Sequence, residues 1–222
     1  MQQTDRIRRR YDRIAPVYDV VDAAMEYRLF HRQRAALLQQ ASGRVLEVGL
    51  GTGPNLPFYG EAVELVGIDF SRRMLERARR RASRLCRSPT LLQMDVQSLE
   101  FPDDSFDCVV STCVFCSVPD PLAGLGEIRR VCKRDGQILM LEHVRSERPV
   151  IGRLMDWLNF VPLHLYGANI NRRTLDYLQL AGFTDVEVEN VSLDILKRIR
   201  IHNDKRTADR GAAVGLCGEA GS

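Results

Sequence analysis

Lysine is nearly missing from this chain: Lys133, Lys197 and Lys205 are the only three, and the other 29 of its 32 basic residues are arginine. Those arginines are spread over several segments, and the net charge is only +3. No Lys/Arg block therefore forms the footprint of a nucleic-acid binder. Nowhere do about 18 apolar residues run together, which leaves out a bilayer-crossing helix. The polar, Arg-rich opening from Met1 to Arg10 is not followed by an apolar stretch of signal-peptide length, so a cytoplasmic protein is expected. Cysteine is present six times (Cys86, Cys108, Cys113, Cys116, Cys132, Cys217), mostly inside apolar runs, which predicts buried free thiols rather than a disulfide framework. The lone Cys113-Val114-Phe115-Cys116 pair lacks the second Cys or Cys/His pair of a tetrahedral zinc site, and no metal is expected. There is no internal repeat.

What is present reads as one sizeable core, since 222 residues with 45% hydrophobic content suit one domain with appendages. From Arg44 onward, strand-like apolar runs at 44–49, 63–68, 90–94, 106–112, 137–143, 184–190 and 195–201 alternate with helix-like segments. The alternation predicts an α/β fold with a mostly parallel sheet and helices on both faces. Ser71 is placed to cap a helix over 71–86, whose Met74, Leu75, Ala78, Ala82 and Leu85 recur at helical spacing against seven solvated arginines. Asp120-Pro121 opens another helix, ended by Lys133 to Gly136 before the next strand. Thr174 to Ala181 is a helix stopped by Gly182. Residues 204–222 have little apolar surface to bury and are expected to form a flexible tail.

The run Val45-Leu46-Glu47-Val48-Gly49-Leu50-Gly51-Thr52-Gly53 empties a short strand into three glycines spaced two apart. Glycine adopts positive φ and lets a ligand approach the main chain, where a larger residue would block it. Asp69 closes the next apolar run, where a carboxylate can chelate the two hydroxyls of a ribose. A nucleoside-bearing cofactor is implied. The loop lacks the third glycine of the dinucleotide fingerprint G-x-G-x-x-G, since Asn55 follows Pro54.

These residues resemble the class I S-adenosylmethionine-dependent methyltransferases over roughly residues 10–200. The resemblance rests on Glu47 to Gly53, Gly67-Ile68-Asp69-Phe70-Ser71, Gln93-Met94-Asp95-Val96, Phe101 to Asp107, and Leu125 to Val131 followed by Asp135-Gly136. It implies a Rossmann-like sheet of seven strands and an S-adenosylmethionine donor contacted by Glu47, Gly49, Gly51, Gly53, Asp69, Phe70, Asp95, Val96 and Ser111. Residues 1–43 are then an N-terminal amphipathic helical lid, 44–203 the donor-binding domain and 144–173 an acceptor insert.

The segment Tyr11-Asp12-Arg13-Ile14-Ala15-Pro16-Val17-Tyr18-Asp19 is similar to the entry of bacterial phospholipid N-methyltransferases and of ubiquinone and menaquinone C-methyltransferases. A basic amphipathic helix of this kind can lie on an anionic membrane, or simply pack on the domain. Ile151, Leu154, Met155 and Leu158, joined by Trp157, read as core or as a second interfacial surface. Asn169, Arg172 and Arg173 suit a phosphate or a helix start capped by Asn171. The resemblance favours N-methylation of phosphatidylethanolamine by a monomer at the inner face of the membrane. A quinone precursor and a small thiol remain as alternative acceptors. Tyr18 and His143 are the candidate catalytic residues, His143 as a proton relay. Tyr11, Phe115, Trp157, Tyr166, Asn169, Arg172 and Arg173 are candidates for acceptor binding, and Tyr18, Phe115 and Tyr166 are the π faces for a cationic head group, Tyr18 foremost.

Overall fold

The computed structural model describes residues 2–25, 30–160, 169, 171–192 and 194–205, with the side chains of residues 2 and 16–25 outside the description. Two helices come first, α1 (Gln2–Met25) and α2 (His31–Leu38). Strand β1 (Arg44–Val48) leads through the glycine turn and a 3₁₀ turn to β2 (Glu64–Asp69), α3 (Arg72–Arg84), β3 (Thr90–Gln93) and β4 (Phe106–Thr112). Then follow α4 (Pro121–Val131), β5 (Cys132–His143), α5 (Pro149–Leu158), α6 (Thr174–Leu180), β6 (Val186–Ser192) and β7 (Leu196–His202).

The strands form a single seven-stranded sheet in the order β3-β2-β1-β4-β5-β7-β6. The first five are parallel, and β7 runs antiparallel to both β5 and β6. Strand alternation divides the core between two faces. Ile138 and Met140 of β5 pack with Val48, Val109, Leu125, Ile128 and Leu178, on the side of α4 and α6. Leu139 and Leu141 pack with Leu37, Leu38, Val45 and Val110, on the side of α2. Leu75, Ala78 and Ala82 bury the apolar row of α3 against Leu50 and Leu56. Helix α2, expected within the N-terminal lid, therefore closes one face of the sheet.

The local signals act where they stand. The Ser71 side chain accepts from the Met74 amide and Asp120 from that of Ala123, each filling an orphan donor at a helix start. Beyond end shifts of one or two residues, such as β6 at Val186–Ser192 rather than 184–190, two local expectations fail. Residues 133–136 do not end α4 but form an irregularity inside β5, whose pairing jumps from Phe106↔Cys132 to Cys108↔Gln137. A Cβ on Gly136 would come within 2.9 Å of the Asp107 carbonyl, so only glycine fits that fold-back. Asn171 does not cap α6; its side chain donates to Asp156, and Arg173 holds the cap position without a side-chain bond. The tail beyond residue 205 and Cys217 lie outside the described residues.

Candidate active site

Parallel strands β1, β2, β3 and β4 all end at one edge of the sheet, and that edge carries the glycine turn. Gly49, Gly51 and Gly53 hold φ of +62°, +60° and +79°. A Cβ on Gly49 would lie 2.5 Å from a Val114 methyl, and one on Gly53 2.6 Å from Leu56. A Cβ on Gly51 would meet only the Gly49 carbonyl, at 3.9 Å, so the crest of the turn opens toward free space. Asp69 clamps the turn: one carboxylate oxygen accepts from the Gly51 amide at 2.9 Å and the other from the Ser71 amide at 2.8 Å. Burial raises its pKa to about 6 against those two bonds.

Beneath the turn lies a polar network that the sequence motifs did not reveal. Both oxygens of Glu47 are engaged, by the Asn55 amide at 2.8 Å and the Tyr59 hydroxyl at 2.9 Å. The Arg34 guanidinium donates at 2.7 Å to Asn55 and to Thr112. Glu47, expected to contact the cofactor, thus sits 1% exposed under the loop and holds its underside. Burial raises its pKa to about 7. Arg34 and Asn55 carry no motif; a basic residue at an otherwise apolar helix position facing Leu37 and Leu38 was the one available signal.

To one side of Asp69 a cleft of about 760 Å³ is walled by Phe70, Met94, Asp95 and Gln97 and by Thr4, Asp5 and Arg8 of α1. Asp95 accepts from the backbone and side chain of Gln97, and Val96 is buried next to it. Helix α1 is tied over this edge at several points. The Tyr11 hydroxyl meets Ser117 at 2.7 Å while its ring meets Phe70 edge-on at 5.6 Å. Ser71 donates to Asp12 at 2.6 Å, and Gln97 donates to Thr4 at 3.2 Å. Burial pushes the Tyr11 phenol well above its usual range, so it stays protonated.

At the ends of β4 and β5 the structure departs from several expectations. Ser111 is fully buried and donates to Glu142 at 2.7 Å, so its hydroxyl is engaged inside the protein. Phe115 is fully buried in the core under Gly124, with no π face left for an acceptor. Trp157 is 77% exposed on the outer side of α5. Arg173 is exposed beside Asp176, and Asn169 lies against the Cys116 loop through a 2.8 Å backbone bond. Arg172 donates to the Val118 carbonyl at 2.9 Å, while its Nε is buried with no partner. His143 follows Glu142 on β5, and strand alternation turns it toward the α2 side. Tyr166 and the side chain of Tyr18 lie outside the described residues.

Residues 46–140 match the family described as methyltransferase domain. The chain is 34% identical over 159 residues to the ubiquinone/menaquinone biosynthesis C-methyltransferase UbiE of Citrifermentans bemidjiense, covering 67% of this chain and 68% of that protein. The chain belongs to the class I S-adenosylmethionine-dependent methyltransferases. A second relative of this methyltransferase is the phosphatidylethanolamine N-methyltransferase of Cereibacter sphaeroides, 41% identical over 119 residues, a match spanning 53% of this chain and 59% of that enzyme. The fold is shared with a methyltransferase of Thermotoga maritima described as a possible histamine N-methyltransferase, at TM-score 0.71 and 21% identity, covering 88% and 99% of the two chains. The residues on the sheet edge of the methyltransferase suit the family's donor. The open crest at Gly51 leaves room for a group against the main chain, and the Asp69 carboxylate keeps lone pairs beyond the two amides it accepts from. The Gly49–Gly53 backbone, Asp69, Phe70 and Asp95 are the residues that would hold it.

Proposed function

We propose that this methyltransferase adds methyl groups to the amine of phosphatidylethanolamine and of its partly methylated products, toward phosphatidylcholine, while resting on the inner face of the membrane. The observation that carries the reading is the 41% identity to the Cereibacter enzyme. The surface of α5 supports it: Val150, Leu154, Trp157 and Leu158 recur at helical spacing and all face outward, with exposed Arg148 and Arg153 beside them. Such a row suits insertion at an anionic bilayer surface. No helix among the described residues is long and apolar enough to cross a membrane.

Bound S-adenosylmethionine would supply a methyl group on a sulfonium, activated for in-line displacement. The protein's part is to hold the reactants in line and exclude water. Asp69 and the glycine turn fix the donor side, and α1, tied through Tyr11 and Asp12, covers it. Arg172, half-buried and with guanidinium donors beyond the Nη2 that bonds the Val118 carbonyl, is the residue available to a lipid phosphate. The UbiE relative, matched over a longer stretch, supports a second reading, C-methylation of a quinone precursor. Mass analysis of lipid extracts from a host expressing the chain separates the two. Mono-, di- and trimethylated ethanolamine lipids are expected; their absence, with a methylated quinone in their place, would establish the second reading.

A further inference from the structure

One side chain in the cleft beside Asp69 joins three parts of the fold. The Gln97 amide nitrogen lies 3.0 Å from Oδ1 and 2.9 Å from Oδ2 of Asp95, so it donates astride the carboxylate. The Gln97 backbone amide adds a third bond, 3.0 Å to Oδ1. An ionised carboxylate offers about four acceptor positions, and three of those on Asp95 are filled from Gln97. The same side-chain nitrogen reaches Thr4 of α1 at 3.2 Å, and Gln97 Oε1 accepts from the Asp120 amide at the start of α4 at 2.9 Å. Asp95 and Gln97 are both half-buried and both line the cleft, so a ligand there meets this arrangement directly.

The sheet directs the adenosyl end of the methyl donor to this carboxylate. Asp69, the residue suited to the ribose, ends β2, and β3 is the next strand, paired through Asp69↔Gln93 two residues before Asp95. Phe70 and Met94 give the cleft apolar walls for a purine. Adenine carries one exocyclic amino group, a hydrogen-bond donor of the same kind as the primary amide of Gln97. Two such groups compete for one carboxylate. We infer that Gln97 sets the affinity and base preference of the donor site: its side-chain amide holds the face of Asp95 that the adenine amino group requires, and donor binding displaces it. The competition involves the donor alone and is the same for an amine, a quinone or a thiol acceptor.

Displacement has consequences of opposite sign for binding and for folding. Hydrogen bonds to an ionised carboxylate are stronger than those between neutral groups, and the Gln97 side chain must give its own up before the base can use Asp95. Removing the amide therefore tightens the donor. The bonds to Thr4 and Asp120 meanwhile hold α1 and α4 to the cleft, so their loss lowers stability. The base is read at the same point. Hypoxanthine carries a ring carbonyl where adenine carries its amino group; that carbonyl is repelled by Asp95 but accepts from the Gln97 amide. Gln97 thus softens the choice of base that Asp95 alone would make.

The test uses the full chain as wild type, Gln97→Ala and Gln97→Met, the second keeping the length of the side chain without its amide. Calorimetry measures the affinity of S-adenosylhomocysteine and of S-inosylhomocysteine, and thermal unfolding is followed on the same samples. Both variants are expected to bind S-adenosylhomocysteine about three- to tenfold more tightly, to bind S-inosylhomocysteine no more tightly than wild type, and to unfold at a lower temperature without ligand. Unchanged or weakened S-adenosylhomocysteine affinity in both variants overturns the inference, because a residue that only holds the fold loses affinity and stability together. Equal tightening toward both nucleosides also overturns it, since that outcome is a cleft opened by loss of the Thr4 bond and not a competition at Asp95.

Discussion

At the scale of single residues, the glycine turn and its aspartate make the sharpest demands. Gly51 needs positive φ and faces open space, whereas its neighbours Gly49 and Gly53 face side chains. Gly51→Ala is therefore expected to lower stability by only about 1 kcal/mol, the strain of an L-residue in the left-handed region. Its Cβ would fill the open crest, and S-adenosylhomocysteine affinity is expected to fall more than tenfold; thermal unfolding and calorimetry on the same sample separate the two effects. Asp69→Ala removes the carboxylate that accepts from Gly51 and Ser71. Thermal stabilisation by S-adenosylmethionine should vanish in that variant, and equal affinity in variant and wild type would refute the ribose assignment. Adjacent residues on a strand face opposite sides of the sheet: Glu142 faces Ser111, while His143, the proton relay expected from the sequence, turns away from it.

At the scale of elements, α1 and α5 are the parts whose attachment differs from that of the sheet. Ser71 both caps α3 and donates to Asp12 of α1. Ser71→Ala is expected to cost about 1 kcal/mol for the lost cap. It should also speed S-adenosylhomocysteine release in stopped-flow experiments, because the lid loses one of its ties. On α5 the face holding Gly152 and Met155 is buried while Leu154 and Trp157 stand 52% and 77% exposed. If that row enters a bilayer, phosphatidylglycerol vesicles should sediment the protein at low salt and release it as salt is raised. Leu154→Glu with Trp157→Ala should abolish sedimentation without changing S-adenosylhomocysteine affinity; sedimentation equal to wild type would remove α5 from the membrane contact.

At the scale of the whole molecule, buried carboxylates set the pH dependence of stability. Glu47, Asp69 and Glu142 have pKa values raised by burial to about 7, 6 and 7. The folded state therefore binds protons more tightly than the unfolded chain, and their favourable contribution is lost as pH rises from about 4 through 7. Asp104, Asp107, Glu127 and Asp156 have lowered values through lysine and arginine partners, and their contribution is lost only as pH falls below about 4. The unliganded protein is expected to show its highest thermal midpoint between about pH 4 and 6, with a decline toward pH 8; a midpoint that rises from pH 6 to 8 would contradict this balance. The sequence alone determined roughly where seven strands fall, though not where β5 begins, because β1, β2 and β4 are short apolar runs and β6 and β7 alternate apolar with polar residues, and it determined the glycine turn and the caps at Ser71 and Asp120, because their chemistry is local. Tertiary structure alone decided that Phe115 belongs to the core, that Trp157 faces outward, that Arg34 braces the turn from below, and that Glu142 keeps an unpaired oxygen. Those outcomes depend on which distant segments meet across the sheet, and no spacing along one chain encodes that meeting.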